Sequence, residues 1–194
     1  ASLGIIAGVG NGKFNPDGAV TGVELAKMLL VVAGYKPDVQ GYTGANWASN
    51  VINDAQLAGL FDDYAVAFSA SAPRQWTAKL FSNAVLKAEM AVYFNGELIN
   101  GVGIIGTKNV TVGEKYFGLK VETGDATANF YASLTGGLTN LKYSMVGGDK
   151  ITYNVPTELL GQEVKVIYKE SGDIADLDEK DEVYSVYATG ATRV

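Results

Sequence analysis

Val20-Thr21-Gly22-Val23-Glu24-Leu25-Ala26-Lys27-Met28-Leu29-Leu30-Val31-Val32-Ala33-Gly34 is the stretch whose reading decides the fold of the first part of the chain. Leu25, Met28, Leu29 and Val32 recur at the i, i+3, i+4, i+7 spacing of one apolar helical stripe. Thr21 with Glu24 three residues on forms a capping box, in which hydroxyl and carboxylate each satisfy a backbone amide that the helix start leaves open. Gly34 supplies a stop and Pro37 follows it. The stretch predicts a helix that begins at Thr21 and ends before Gly34.

Two more helices follow by the same reasoning. One is expected over about 46–58, with Trp47, Val51, Ala55 and Ala58 on one face and Gly59 as its end. Another is expected from Pro73 to Met90, with Pro73 in the first turn, Ser71 as a candidate N-cap, and Trp76, Leu80, Ala84 and Ala88 facing one way. Setting Met28 against Leu80 aligns Ala26-Lys27 with Ala78-Lys79 and Leu29 with Phe81. Upstream, Leu3-Gly4-Ile5-Ile6 pairs with Ala58-Gly59-Leu60-Phe61. The period, 28 to 80 or 3 to 58, is in the range of stacked supersecondary units. Each copy reads as helix, glycine turn, loop, helix, and the first lacks its opening helix. The chain therefore reads as a piece of something longer, and no basic leader followed by an apolar core opens it.

After Met90 the period changes to two. Asn95-Gly96 between Ala91-Val92-Tyr93-Phe94 and Glu97-Leu98-Ile99 is a strong hairpin signal. Strand-like runs are expected near 102–106, 108–112, 115–122, 127–134, 140–146, 150–155, 162–169 and 182–188. Gly136-Gly137, Gly147-Gly148-Asp149 and Ser171-Gly172-Asp173 punctuate them. The fold class expected is α+β: N-terminal helix-loop-helix repeats over 1–90, the second copy spanning about 42–90, and a C-terminal antiparallel β barrel or sandwich over 91–194.

Composition removes whole classes of chemistry. The 194 residues include no Cys and no His, which excludes disulfides, thiolate nucleophiles, His-based triads and His zinc ligands within this chain. The net charge of −6 is made of −1 over residues 1–90 (6 basic, 7 acidic) and −5 over 91–194 (9 basic, 14 acidic). No basic stripe is present to neutralise phosphates, so no nucleic-acid partner is expected. An acidic surface is a poor match to anionic lipid, no apolar run reaches the length of a bilayer span, and no membrane insertion is expected.

Leu3-Gly4-Ile5-Ile6-Ala7-Gly8, Gly12-Lys13-Phe14-Asn15-Pro16 and Val20-Thr21-Gly22-Val23-Glu24-Leu25-Ala26-Lys27 together resemble the S-layer homology motif. That motif runs from an LGIIxG turn through an aromatic-x-Pro loop to a TRAE-type helix start. Trp47-Ala48, Val51-Ile52 and Ala58-Gly59 are similar to the first helix of a following unit. The resemblance covers roughly residues 1–90 and is more specific in the first copy than in the second. It implies an extracellular location on a bacterial cell wall and non-covalent attachment to secondary cell-wall polysaccharide, usually through three units arranged as a pseudo-trimer. The family's ligand is typically an acidic, often pyruvylated, amino sugar. An arginine inside the TRAE element grips that sugar, a task suited to the guanidinium fork.

The chain departs from the motif at that arginine. Gly22 stands there in the first copy, and Pro73-Arg74-Gln75-Trp76 occupies the element in the second, with Arg74 at the arginine's place. The glycan-binding candidates that the resemblance implies are Arg74, Thr21, Glu24 and Trp47. Each has a plainer reading beside it. A capping box explains Thr21 and Glu24 without a ligand. A solvated first-turn residue explains Arg74, although a cation is not favoured at a helix N-terminus. Core packing on an apolar stripe explains Trp47 and Trp76.

Other motifs carry less. Gly101-Val102-Gly103-Ile104-Ile105-Gly106 fits G-x-G-x-x-G, but strand-like sequence follows where a helix must open. Ala7 to Phe14 lacks the first glycine and the magnesium-binding hydroxyl of a P-loop. Lys13 falls on the first ligand position of an EF-hand counted back from Glu24. The acidic run holding Asp173, Asp176, Asp178, Glu179, Asp181 and Glu182 reads as a solvated hairpin tip or as a calcium site, with Asp173, Asp176 and Asp178 as the candidate ligands. No other cofactor is expected. No catalytic constellation is present, and a pair such as Asp62-Asp63 has nothing in the sequence to bring it to a cleft.

The expectation is a non-enzymatic structural protein of a bacterial surface layer. Its helical region would serve wall anchoring or lattice packing, and its partners would be secondary cell-wall polysaccharide or neighbouring surface-layer subunits. The alternative is a dedicated polysaccharide-binding anchor of an envelope enzyme.

Overall fold

A computed structural model describes residues 5, 6, 8, 13, 15–99, 110–136, 142–171 and 176–192. The chain divides into two compact units, Ala1–Lys115 and Tyr116–Val194. In the first lie α1 (Gly22–Val32), α2 (Trp47–Leu57), α3 (Arg74–Leu86) and a hairpin of β1 (Tyr93–Phe94) with β2 (Glu97–Leu98). The short α4 (Val112–Phe117) contains the division. The second unit holds β3 (Leu119–Ala128), β4 (Ser144–Val146), β5 (Asp149–Ile151), a 3-10 turn at Thr157–Leu159, β6 (Gln162–Lys169) and β7 (Glu182–Thr192). The class is α+β.

The helix starts and stops follow local chemistry. Thr21 caps α1 in a complete capping box. Gly34 (φ +94°) and Gly59 (φ +72°) take the left-handed backbone that a helix end favours. Each is followed by an amide that reaches back into its helix, Tyr35 to the Leu30 carbonyl at 3.0 Å and Leu60 to Ala55 at 2.8 Å. The hairpin turns at Asn95-Gly96, both at positive φ, with Tyr93 opposite Leu98 and Phe94 opposite Glu97.

The helical faces differ from the stripe read along the sequence. The buried side of α1 is Val23, Leu25, Ala26, Leu29 and Leu30, while Met28 is half-buried and Val32 exposed. Leu29-Leu30-Val31-Val32 is apolar all round, so spacing alone could not select the inner side. For α3 the N-cap is Pro73, without a side-chain cap bond, and Ser71 instead forms an isolated antiparallel bridge with Thr21. The helix ends at Leu86, not Met90. Backbone bonding carries the chain away from the helix there, with Met90 N–H to the Val110 carbonyl and Ala91 N–H to Ala33. These bonds and the Glu89–Thr111 bridge hold the residues just beyond 90 against the helices.

Leu30, Val51, Ala55, Leu60, Leu80 and Ala84 form the centre of the first core. Two polar side chains are sealed into it. The Tyr42 hydroxyl donates to Asp54 Oδ2 at 2.7 Å, and the same oxygen accepts from Gln40 Nε2 at 2.9 Å. Burial, with the Asp54 carboxylate beside it, pushes the Tyr42 phenol far above its ordinary range. Asn83 donates to the carbonyls of Leu60 and Asp62.

The second unit is built on one antiparallel sheet of linear order β5-β4-β3-β6-β7. On β6, Val164, Val166 and Tyr168 alternate inward. With Ala126, Val146, Ile151, Val155, Leu177 and Val186 they make the second core. Several strand expectations are corrected. Residues 112–117 are helical, because the Thr111 hydroxyl accepts the Glu114 amide at 3.1 Å and caps a turn. The run 127–134 leaves the sheet after Ala128, where the buried Asn129 turns the chain by accepting the amides of Tyr131 and Ala132. In the described part of the run 140–146 the strand is β4, and the run 150–155 is replaced by the shorter β5, which starts one residue earlier. The runs at 162–169 and 182–188 are strands, the second extending to Thr192. The expected strand at 102–106, with its glycine motif, lies outside the described residues. The described strands form this one sheet and the small hairpin. No described helix is long and apolar enough to cross a membrane.

Candidate functional site

Two helix starts lie side by side in the first unit. The segment before α1 and the segment before α3 pair through the Thr21–Ser71 bridge, with Gly22 N–H to the Ala70 carbonyl at 3.1 Å and Ala72 N–H to the Val20 carbonyl at 2.9 Å. Thr21, the N-cap of α1, is therefore paired with the segment that leads into Arg74, the first residue of α3; both are among the four candidate glycan residues.

The two starts are chemically unlike. At α1 the first-turn amides are all taken: Gly22 by Ala70, Val23 by the Phe68 carbonyl at 2.9 Å, and Glu24 by the Thr21 hydroxyl at 3.3 Å. The Glu24 carboxylate accepts from both the Thr21 amide (2.8 Å) and the Thr21 hydroxyl (2.7 Å). The Thr21 hydroxyl and Glu24 Oε2 are thus bonded to each other.

Gly22 has no room for a side chain. A Cβ there would lie 2.6 Å from the Tyr64 hydroxyl oxygen and 3.3 Å from the Phe68 carbonyl oxygen. Tyr64 belongs to an aromatic cluster with Phe61, Phe68 and Trp76, its ring centroid 5.4 Å, 6.1 Å and 5.8 Å from theirs. Its hydroxyl is buried without a hydrogen-bond partner among the described residues, and that burial raises its pKa. The missing arginine is legible in the sequence, and Tyr64 is not. Phe61, Tyr64 and Phe68 fall in a connection with no periodic element to flag them.

At α3 the start is open. Pro73 offers no cap, and the Arg74, Gln75 and Trp76 amides have no acceptor among the described residues. Arg74 is exposed and unpaired among the described residues. An exposed guanidinium beside unbonded amides is an arrangement that can meet an anion.

Trp47 opens α2, half-buried against the first core, with Lys27 Nζ 5.5 Å from its ring centroid. Lys27 is six residues beyond Thr21, about 9 Å along the helix, so Trp47 stands apart from the paired starts. Two ion pairs brace the loop after α2: Lys87 with Asp62 and Lys79 with Asp63, each at 3.1 Å. Asp62 and Asp63 are exposed and engaged there.

Of the calcium candidates, Asp173 lies outside the described residues and Asp176 is exposed. Asp178 accepts the Lys180 amide at 2.7 Å, and the buried Asp181 accepts the amides of Ser171 and Asp178. These two carboxylates cap the approach to β7. Among the described residues no three acidic side chains group as a metal site.

The S-layer homology domain model matches residues 1–26, a stretch that ends inside α1 and takes in its cap. No curated protein and no solved structure matches the chain. The chain thus carries an S-layer homology region followed by a β-rich module. Such a region supports, in general, a surface-layer or cell-wall anchoring role and a cell-surface or wall-associated location. The polymers that S-layer homology domains bind are secondary cell-wall polymers.

Proposed function

We propose that this chain is part of a non-enzymatic structural protein outside a bacterial cell, held on the wall by its helical unit. Secondary cell-wall polysaccharide contacts the exposed start of α3, and Arg74 supplies the cation for an acidic sugar. The start of α1, with Thr21 and Glu24, serves packing within the unit. The β module carries neighbouring-subunit contacts in the layer. The single observation that supports this reading is the S-layer homology match at residues 1–26. The chemistry of the α3 start supports the assignment within it, since a charge-assisted guanidinium–carboxylate pair is strong and geometrically selective.

The acidic run around Asp178 and Asp181 acts as turn caps in this reading, and the chain works without a metal or cofactor. Purified walls test the proposal. Full-length chain sediments with intact walls and stays in solution when the secondary polysaccharide has been stripped from them. Equal retention on both preparations would remove the polysaccharide as partner.

A further inference from the structure

We infer that Tyr64 is a specificity-determining residue that closes the start of α1 to a carboxylate-bearing sugar, leaving the start of α3 as the polymer's point of contact. The inference rests on the anchoring reading above for its ligand class, and on geometry for the closure itself.

Position 22 admits only hydrogen. A Cβ 2.6 Å from the Tyr64 oxygen and 3.1 Å from the ring carbon that bears it is closer than packed atoms come, so neither alanine nor arginine fits while Tyr64 stays in place. The ring does not swing aside freely. Phe61 and Phe68, themselves stacked at 4.2 Å, lie on one part of it and Trp76 meets it edge-on at 72°. The Phe68 carbonyl is also fixed, because it accepts the Val23 amide.

The closure is chemical as well as steric. An anion at a helix N-terminus needs unbonded amides, and those of Gly22, Val23 and Glu24 are already satisfied within the protein. The polar atom nearest the position, the Tyr64 hydroxyl, is sealed from solvent and lacks a partner among the described residues. A buried hydroxyl left unbonded is unfavourable. It persists here because the aromatic cluster holds the ring and glycine leaves it room. Tyr64 and Gly22 are therefore a coupled pair.

Thermal melts of the full chain test the closure without any ligand. Gly22→Ala lowers Tm by at least about 5 °C in the otherwise unchanged chain. In a Tyr64→Ala background the same change lowers Tm by less than half as much, since the two closest contacts are gone and only the Phe68 carbonyl oxygen at 3.3 Å remains. Tyr64→Phe is the milder companion and lessens the penalty without removing it, since the ring carbon stays 3.1 Å from the position. An equal drop in all three backgrounds overturns the inference.

A binding arm tests the ligand class, with purified secondary polysaccharide bearing pyruvate ketals as probe. Gly22→Arg combined with Tyr64→Ala binds it at least about tenfold more tightly than Tyr64→Ala alone, because the added guanidinium, and not the bonded amides, receives the carboxylate, and mild acid removal of the pyruvate abolishes the gain. No gain overturns the assignment of this place to carboxylate ligands. The melts contain no polymer, so their result stands apart from any failure of the unmodified chain to bind walls.

Discussion

The side-chain amide of Asn83 donates to two backbone carbonyls at once, those of Leu60 and Asp62, each at 2.9 Å. Asn83 is 2 % exposed, on the inner face of α3, and the carbonyls it holds belong to the loop that follows α2. Helix and loop are thus joined by a buried polar contact, with the Lys87–Asp62 pair outside it. Removing the amide strands acceptors in the interior. Asn83→Ala should cost about 2–4 kcal/mol, read from urea melts followed by circular dichroism. A loss under about 0.5 kcal/mol would mean that water replaces the amide at no cost.

Gly124 on β3 lies against the β4–β5 turn. A Cβ there would sit 2.6 Å from both the Cα and the N of Gly147, and those are backbone atoms that no rotamer change can move. Gly147 N–H also donates to the Asp125 carbonyl at 3.1 Å, which fixes the approach. Gly124→Ala should therefore destabilise the second unit by about 2–3 kcal/mol. Hydrogen exchange should show protection falling first at Val146 and Ile151. An unchanged melting curve would contradict the close approach.

Tyrosines set the alkaline limit. Burial, with Glu122 and other carboxylates nearby, pushes Tyr168 up to about 12, and burial raises Tyr42 further still. In the unfolded chain both titrate near 10. A folded pKa above the unfolded one contributes stability that is complete below about pH 10 and is lost as pH rises toward about 12. Tm should hold level from neutral pH to about 9.5 and then fall, and Tyr168→Phe should lessen that fall. A fall of the same steepness in the variant would assign it to other groups.

Asp181 is 5 % exposed and accepts the amides of Ser171 and Asp178 at 2.8 Å and 3.0 Å. It does this by hydrogen bonding and needs no ion. Asp181→Ala should lower Tm by about 4–8 °C, whereas chelation by EDTA should leave the melt of the unmodified chain in place. A calcium-dependent rise in Tm would return the acidic run to metal binding.

The parts of this fold that could be read along the chain are those set by neighbours in sequence. Thr21 and Glu24 are three apart, Gly34 and Gly59 follow periodic runs, and Asn95-Gly96 is a two-residue turn; each acts over a few residues, so spacing carries the information. Val164, Val166 and Tyr168 alternate cleanly because β6 lies inside the sheet with one face buried. Elsewhere distant contacts decide. α3 stops at Leu86 because Met90 and Ala91 bond to Val110 and Ala33. The helical turn at 112–117 overrides a period-two pattern through one cap from Thr111. At the candidate site, the absence of arginine from position 22 was legible, but its cause was not. Tyr64 is 42 residues further on and meets Gly22 only in the folded unit.

The central claim, that the helical unit holds the wall polymer through Arg74, is tested most directly by calorimetric titration of purified secondary cell-wall polysaccharide into the full chain and into its Arg74→Ala variant. The account predicts saturable binding that weakens at least about tenfold in the variant, the loss expected when one charge-assisted pair is removed, with an unchanged melting curve because Arg74 is exposed. Saturable binding of equal strength in both proteins, or none in the unmodified chain, would contradict it.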